Sequence, residues 1–397
     1  MIALFLFALT VLSIKFRGFK SPDFLLVGSW ALGYCISLIF GQSEIIPDQW
    51  DYIFIALFLV DYVTMFLITG VVSGTRTFDK REIALKPAIV ISCLIIAVAI
   101  YYVFLTIGKE HFGLSLSEFL AERRSDSLNL EGDLYDSPII YYSVRTSLPA
   151  ALMVFYLFLC SKYNFYSALC VGLIFFGMVT ANLIDGARSN VVVSVIVCFL
   201  MIYYKRKIEL RLLILFGLVF AFLFVLSSII FRQHEDINAE SIIEGFRYLI
   251  LYSFGAVESM KYAFDGTIST YWGDYDQIVK KIFSQDMALS MGAKSSFIPD
   301  YSPTLWDDKS TNVYSAYAVY FDYFGFMSIV FIFLKAVVIS LLYKLRESNQ
   351  YFEMVYFFLA ACLPLSLFHD YFLTIGVLAL YAVVLLFLSN RVLNLKK

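Results

Sequence analysis

Hydrophobic runs recur along most of this 397-residue chain, each closed by a short polar interval. They are about 17–25 residues long, enough to cross the roughly 30 Å hydrocarbon layer of a bilayer as a helix. A backbone in hydrocarbon must satisfy its own N–H and C=O groups, so such runs have few alternatives to helix. The composition departs from a soluble chain in the same sense. It is 60% hydrophobic and 16% charged, against roughly 45–50% and about 25% in soluble domains. The expected fold class is an all-α polytopic membrane protein, with residues 1–397 as a single integral membrane domain. Runs at 2–14, 24–40, 52–72, 88–107, 139–160, 166–184, 190–204, 212–231, 323–343, 351–368 and 373–389 give about eleven transmembrane helices. The first of them is short. "MIALFLFALTVLSI" lacks a basic leader and a small-residue cleavage site, so it reads as a retained helix rather than a signal peptide.

Basic residues set the orientation, because cytoplasmic loops are enriched in Lys and Arg. One set of intervals holds Lys15, Arg17 and Lys20; Arg76, Lys80, Arg81 and Lys86; Lys162; Lys205, Arg206, Lys207 and Arg211; Lys344 and Arg346; Arg391, Lys396 and Lys397. The opposite short intervals, 41–51, 185–189 and 369–372, hold only Arg188. The basic set is therefore expected inside, with the C-terminus inside and the N-terminus outside. The net charge of −2 adds nothing to this.

Two long segments then fall outside, 108–138 and 232–312. The second is too long for a simple connection and is expected to carry structure and function. Within it, residues 241–264 open with Ser241 and Glu244 in capping-box spacing and continue largely apolar. That pattern predicts a helix on, or dipping into, the outer membrane surface. The stretch 266–311 is more polar and should be a folded or draped loop. The run 313–343 would be about 46 Å long as one helix, more than a bilayer needs. Asp322 and Gly325 mark where it should enter the membrane or bend. Cys35, Cys93, Cys160, Cys170, Cys198 and Cys362 all lie in or beside apolar runs, which predicts neither a disulfide framework nor a cysteine metal site.

"DGARSN" (185–190) is a tight outer turn into the next helix. Ser189 or Asn190 can cap that helix, whose first N–H groups point outward unsatisfied. A helix N-terminus with an Arg beside it attracts anions, so the turn is suited to a phosphate-like group. Other arginines share the outer side, where topology disfavours them. Arg145 lies inside a helix, Arg232 ends one with His234 after it, Arg247 is on the surface helix, and Arg123 and Arg124 are in the first long segment. Such a cluster asks for an anionic ligand. Structural readings compete. Arg188 can pair with Asp185 or reach lipid phosphates. Arg145, whose charge within a helix costs roughly 2.5–3.5 kcal/mol, can form an ion pair, with Asp61 one candidate. Asp61 and Lys335, also within helices, are adequately explained by pairing with each other. Asp322, Asp185 and His369 are the candidate bases for accepting a hydroxyl proton. "DYD" (274–276) has metal-binding DxD spacing, but it lies outside and has no α/β domain around it. No P-loop, HExxH or CxxC is present, so the expectation is no metal and no cofactor.

Three features resemble the Wzy-type O-antigen, or oligosaccharide repeat-unit, polymerases of bacterial inner membranes. "GARSN" (186–190) at a helix start is similar to that family's Gly-Ser-Arg-Ser element, with Ala187 in place of the first Ser. "STNVYSAYAVYFDYFGFMSIV" (310–330) is similar to its Asn-Val-Tyr…Asp-Phe-Gly segment, with Tyr323 in place of Phe. The third is the architecture, about eleven helices with a large late periplasmic loop. The resemblance implies a GT-C-like glycosyltransferase that uses neither nucleotide sugar nor metal. Its donor and acceptor would be oligosaccharides linked through pyrophosphate to undecaprenol. A chain-length regulator would be its protein partner, and nucleic acid would play no part. On this reading Arg188, Arg145, Arg232 and Arg247 bind pyrophosphate, and Asn312 and Tyr314 orient the large loop or touch sugar. The nearest alternative is an O-antigen ligase, which differs in acceptor. A lipid-linked oligosaccharide flippase or transporter would instead place charges along a path through mid-bundle.

Overall fold

The computed structural model describes residues 2–40, 49–71, 85–110, 138–161, 164–184, 188–205, 239–266, 315–368 and 371–394. Among them every regular element is helical, as the apolar runs require. The helices are α1 (Ile2–Arg17), α2 (Pro22–Phe40), α3 (Gln49–Val71), α4 (Leu85–Glu110), α5 (Pro138–Cys160), α6 (Phe165–Ile184) and α7 (Arg188–Lys205). There follow α8 (Ala239–Glu258), α9 (Met260–Phe264), α10 (Ala316–Phe324), a 3-10 turn (Gly325–Met327), α11 (Ser328–Leu345), α12 (Gln350–Leu365) and α13 (Phe372–Asn394). Seven described helices are long and apolar enough to cross a membrane, and α7 and α12 are shorter apolar helices. The expected span 212–231 lies outside the described residues.

The long run 313–343 is broken where its sequence predicts. Gly325 ends α10 at φ 51° and ψ −133°, and the 3-10 turn then leads into α11. A side chain strongly disfavours that backbone conformation, which is why glycine stands there. A Cβ added at Gly325 would meet nothing within 4 Å. Gly325→Ala should therefore cost about 1–3 kcal/mol from backbone strain alone, read as a lowered unfolding midpoint in detergent. An unchanged midpoint would mean that the bend is not fixed at this residue. The surface segment departs from expectation in register. Ser241 is the third residue of α8 rather than its cap, and Ser259 separates α8 from α9. Ile242, Ile243 and Phe246 are exposed on α8.

The helices gather into two compact units. One contains α1–α3 and α9–α12, with α3 lying against α11 and α12 against both α2 and α11. Its centre is aromatic. The Trp30 ring lies 4.8 Å from Phe54 and 5.3 Å from Tyr317, centroid to centroid. The Trp30 indole N–H donates to Ser366 Oγ at 2.8 Å, and Ser366 Oγ donates to the Leu363 carbonyl at 2.6 Å. The Ser366 carbonyl accepts the Ala316 N–H at 2.8 Å, which ties the start of α10 to the end of α12. Ser315 caps α10 by accepting the Ala318 N–H at 3.2 Å. Asp61 and Lys335 pair with each other, Nζ to Oδ2 at 2.5 Å, and the Tyr317 hydroxyl donates to the same oxygen at 2.8 Å. The structural alternative that gave Asp61 to Arg145 is therefore corrected, because Lys335 is the partner of that carboxylate.

The other unit contains α4–α7. Here α4 packs on α5 and α6, and α5 packs on both α6 and α7. Gly177 lets α6 approach α4 closely, since a Cβ there would collide with the Ile96 side chain. Helices α8 and α13 have residues in each unit.

Candidate functional site

Arg145 and Arg188, two of the four arginines that the sequence reading assigns to pyrophosphate, belong to the α4–α7 unit. Pro138 opens α5 at its first helical position, where a missing N–H costs no hydrogen bond. Arg145 lies two turns further in and is half-buried. Pro149 follows it by four residues inside the helix and has no N–H to offer the Arg145 carbonyl, so the ladder loses a rung at that point. Hydroxyls surround it on the same helix. Ser143 donates to the Ile139 carbonyl at 2.7 Å, Thr146 to Tyr142 at 2.6 Å and Ser147 to Val144 at 2.6 Å. Each satisfies its hydroxyl locally within an apolar environment.

Three helices are joined by two amides, one buried and one half-buried. Asn182, near the end of α6 and 1% exposed, donates from Nδ2 to the Met178 carbonyl at 2.9 Å and to Ser147 Oγ of α5 at 3.0 Å. Its Oδ1 accepts from Asn190 Nδ2 of α7 at 2.8 Å. A carbonyl only accepts, so Met178 fixes which end of the Asn182 amide is nitrogen; the oxygen is thereby turned to α7 and must meet a donor. Ala99, Tyr102, Val144 and Ala181 form an apolar cluster between α4, α5 and α6.

Arg188 is the first residue of α7, which places the N–H groups of that helix's first turn directly after it. This corrects the capping expectation. Neither Ser189 nor Asn190 precedes the helix; both lie within its first turn, and the Asn190 amide is taken up by Asn182. In the other unit Arg247 is exposed on α8 and Asp322 is exposed on α10, three residues before Gly325. Asp185, Arg232, Asn312, Tyr314 and His369 lie outside the described residues. Among the described residues no group of three or more His, Cys, Asp or Glu is placed to hold a metal ion.

The sequence reading passed over Ser147 and Asn182. The available signal was an amide inside an apolar helix, since a polar side chain at membrane depth needs a partner and marks a functional position by default.

The arrangement offers two cationic positions on helices whose spacing is set by internal hydrogen bonds. No curated protein and no solved structure matches this chain. Residues 132–271, the segment spanning α5 to α9, match the family model described as "Putative O-antigen polymerase". The match supports a membrane O-antigen polymerase-type function, and the family it names is the one that the "GARSN" and "NVY…DYFG" motifs resemble.

Proposed function

We propose that the chain joins undecaprenyl-pyrophosphate-linked oligosaccharide repeat units into O-antigen or capsular polysaccharide at the periplasmic face of the bacterial inner membrane. The bond from the donor's anomeric carbon to the pyrophosphate oxygen breaks. A bond from that carbon to an acceptor hydroxyl oxygen forms, and the hydroxyl proton passes to a base. Undecaprenyl pyrophosphate departs carrying the negative charge. Charge that develops in the transition state is best stabilised by groups already oriented toward it. Guanidinium groups meet phosphate oxygens through a planar fork, which an ammonium cannot reproduce. Arg188 and then Arg145 are assigned to the pyrophosphate, with Arg232 and Arg247 as further phosphate-binding groups. Asp322, Asp185 and His369 are the candidate bases, and Asn312 and Tyr314 orient the large loop or touch sugar. The reaction draws on neither nucleotide nor metal. The N-terminus is periplasmic, the C-terminus cytoplasmic, and a chain-length regulator is the protein partner.

One observation carries this reading. The family match covers the segment in which the helices bearing Arg145 and Arg188 are bonded together through Asn182. The test is polymerisation by the purified protein in lipid, supplied with lipid-linked repeat units, a lipid A acceptor, a chelator and no nucleotide. A ladder of product lengths is expected. No elongation, or transfer only onto a lipid A acceptor, would overturn the reading, the second outcome in favour of a ligase.

A further inference from the structure

We infer that Asn182 is a positioning residue for pyrophosphate binding, setting the rotation and spacing of the two helices that carry Arg145 and Arg188. The inference rests on the phosphate role proposed for those arginines. Asn182 acts on them through their neighbours. Ser147 follows Arg145 by two residues on α5, and Asn190 follows Arg188 by two on α7. At 3.6 residues per turn, positions two apart lie roughly 200° round a helix and about 3 Å along it. A bond that holds Ser147 therefore fixes the rotation of α5 about its axis while leaving the Arg145 position on another side. Ser147 is fully buried and Arg145 half-buried, as that geometry requires. The same relation holds between Asn190 and the Arg188 backbone position at the head of α7.

A general stabilising role accounts less well for this arrangement. Hydrogen bonds between helices in a membrane add little net stability, because separated helices in lipid also find partners for their polar groups. The Asn182 amide has both its hydrogens and its oxygen engaged, and its two interhelical bonds go to the two helices that bear the arginines. It lies six residues before Arg188 in the sequence. The chain of donors runs in one direction, from Asn190 to Asn182 to Ser147 to the Val144 carbonyl, so shifting any one helix breaks it.

The test is a double-mutant cycle on polymerisation kinetics with the purified full chain in lipid. Asn182→Ala is expected to lower kcat/KM about 10- to 100-fold, the loss that a displacement of about 1 Å at a binding group produces. In an Arg188→Ala background the same substitution should cost clearly less, since only the Arg145 helix is then left for it to displace and residues that act through one another are not additive. An equal loss in both backgrounds would mean a general structural role and overturn the inference. So would wild-type kinetics in Asn182→Ala while Arg188→Ala is impaired, an outcome that leaves the phosphate role of Arg188 standing. Wild-type kinetics in Arg188→Ala would instead overturn that role, and the inference with it. Should Asn182→Ala fail to fold, Asn190→Ala removes only the half-buried donor at the far end of the chain. It should show a smaller loss of several-fold that again shrinks in the Arg188→Ala background. Equal loss in the two backgrounds, or no loss at all, would overturn the inference there too.

Discussion

Cells whose only copy carries Arg188→Ala should lose the ladder of glycan lengths and keep single repeat units on lipid A. In the purified system kcat/KM should fall about 10²–10³-fold, the usual cost of removing one preoriented donor from a developing anion. Arg188→Lys should recover only part of this, because it restores the charge without the planar fork. Stability gives the control. Arg188 is the first residue of α7, where the positive end of the helix dipole disfavours a cation by about 0.3–1 kcal/mol. Alanine also has the highest helix propensity. The substitution should therefore leave the unfolding midpoint unchanged or slightly raised while activity collapses. On the proposed reading, a residue that its own helix disfavours is held there by its phosphate ligand rather than by folding. A full ladder from Arg188→Ala cells would end the assignment.

The sequence is most informative where one local rule decides. Apolar runs place α2 to α7 and α11 to α13 to within a few residues, because a helix in hydrocarbon has no competitor. The bend at Gly325 is legible because the run 313–343 is too long for one crossing and carries a single glycine. Pairing of Asp61 with Lys335 follows from two opposite charges that each need a partner at membrane depth.

Where several residues can fill one role, local rules stop deciding. "DGARSN" offers Ser189 and Asn190 as caps, yet the helix begins at Arg188 and the Asn190 amide goes to Asn182 on a different helix. That choice is tertiary, since it depends on α6 and α7 lying side by side. Ser241 and Glu244 have capping-box spacing, but the same spacing also occurs within a helix, and α8 begins at Ala239. Asn182 is the plainest case. One amide barely alters the hydropathy of an apolar run, and its bond to Ser147 crosses thirty-five residues of sequence. Charge and topology single out the arginines. The chain that bonds their helices together emerged only once α5, α6 and α7 were packed.

Lys335→Met should be among the most destabilising single changes in the protein, at about 3–5 kcal/mol, because it leaves a buried carboxylate without its cation. Asp61 is 0% exposed and Lys335 3%. With the lysine gone, Asp61 Oδ2 keeps, among the described residues, only the Tyr317 hydroxyl. Asp61→Asn should cost less. The ammonium would retain the rings of Tyr317 and Tyr320, each 5.5 Å from Nζ, and such a desolvated cation–π contact contributes about 2 kcal/mol. Removing both charges together, with Asp61→Leu and Lys335→Met, should return stability to within about 1–2 kcal/mol of wild type, since apolar replacement of a whole buried pair is often neutral or better. The residual cost is the Tyr317 hydroxyl, now short of an acceptor, and Tyr317→Phe added to the pair should recover it. The order Lys335→Met, then Asp61→Asn, then the double replacement is read from unfolding midpoints of the detergent-solubilised protein. Because Tyr317 stands in the first turn of α10, the Lys335→Met variant should also lose hydrogen-exchange protection along Ala316–Phe324 before the rest of its unit opens. A midpoint for Lys335→Met within about 0.5 kcal/mol of wild type, the range of ordinary surface substitutions, would show that this pair does not hold α10 against α3 and α11.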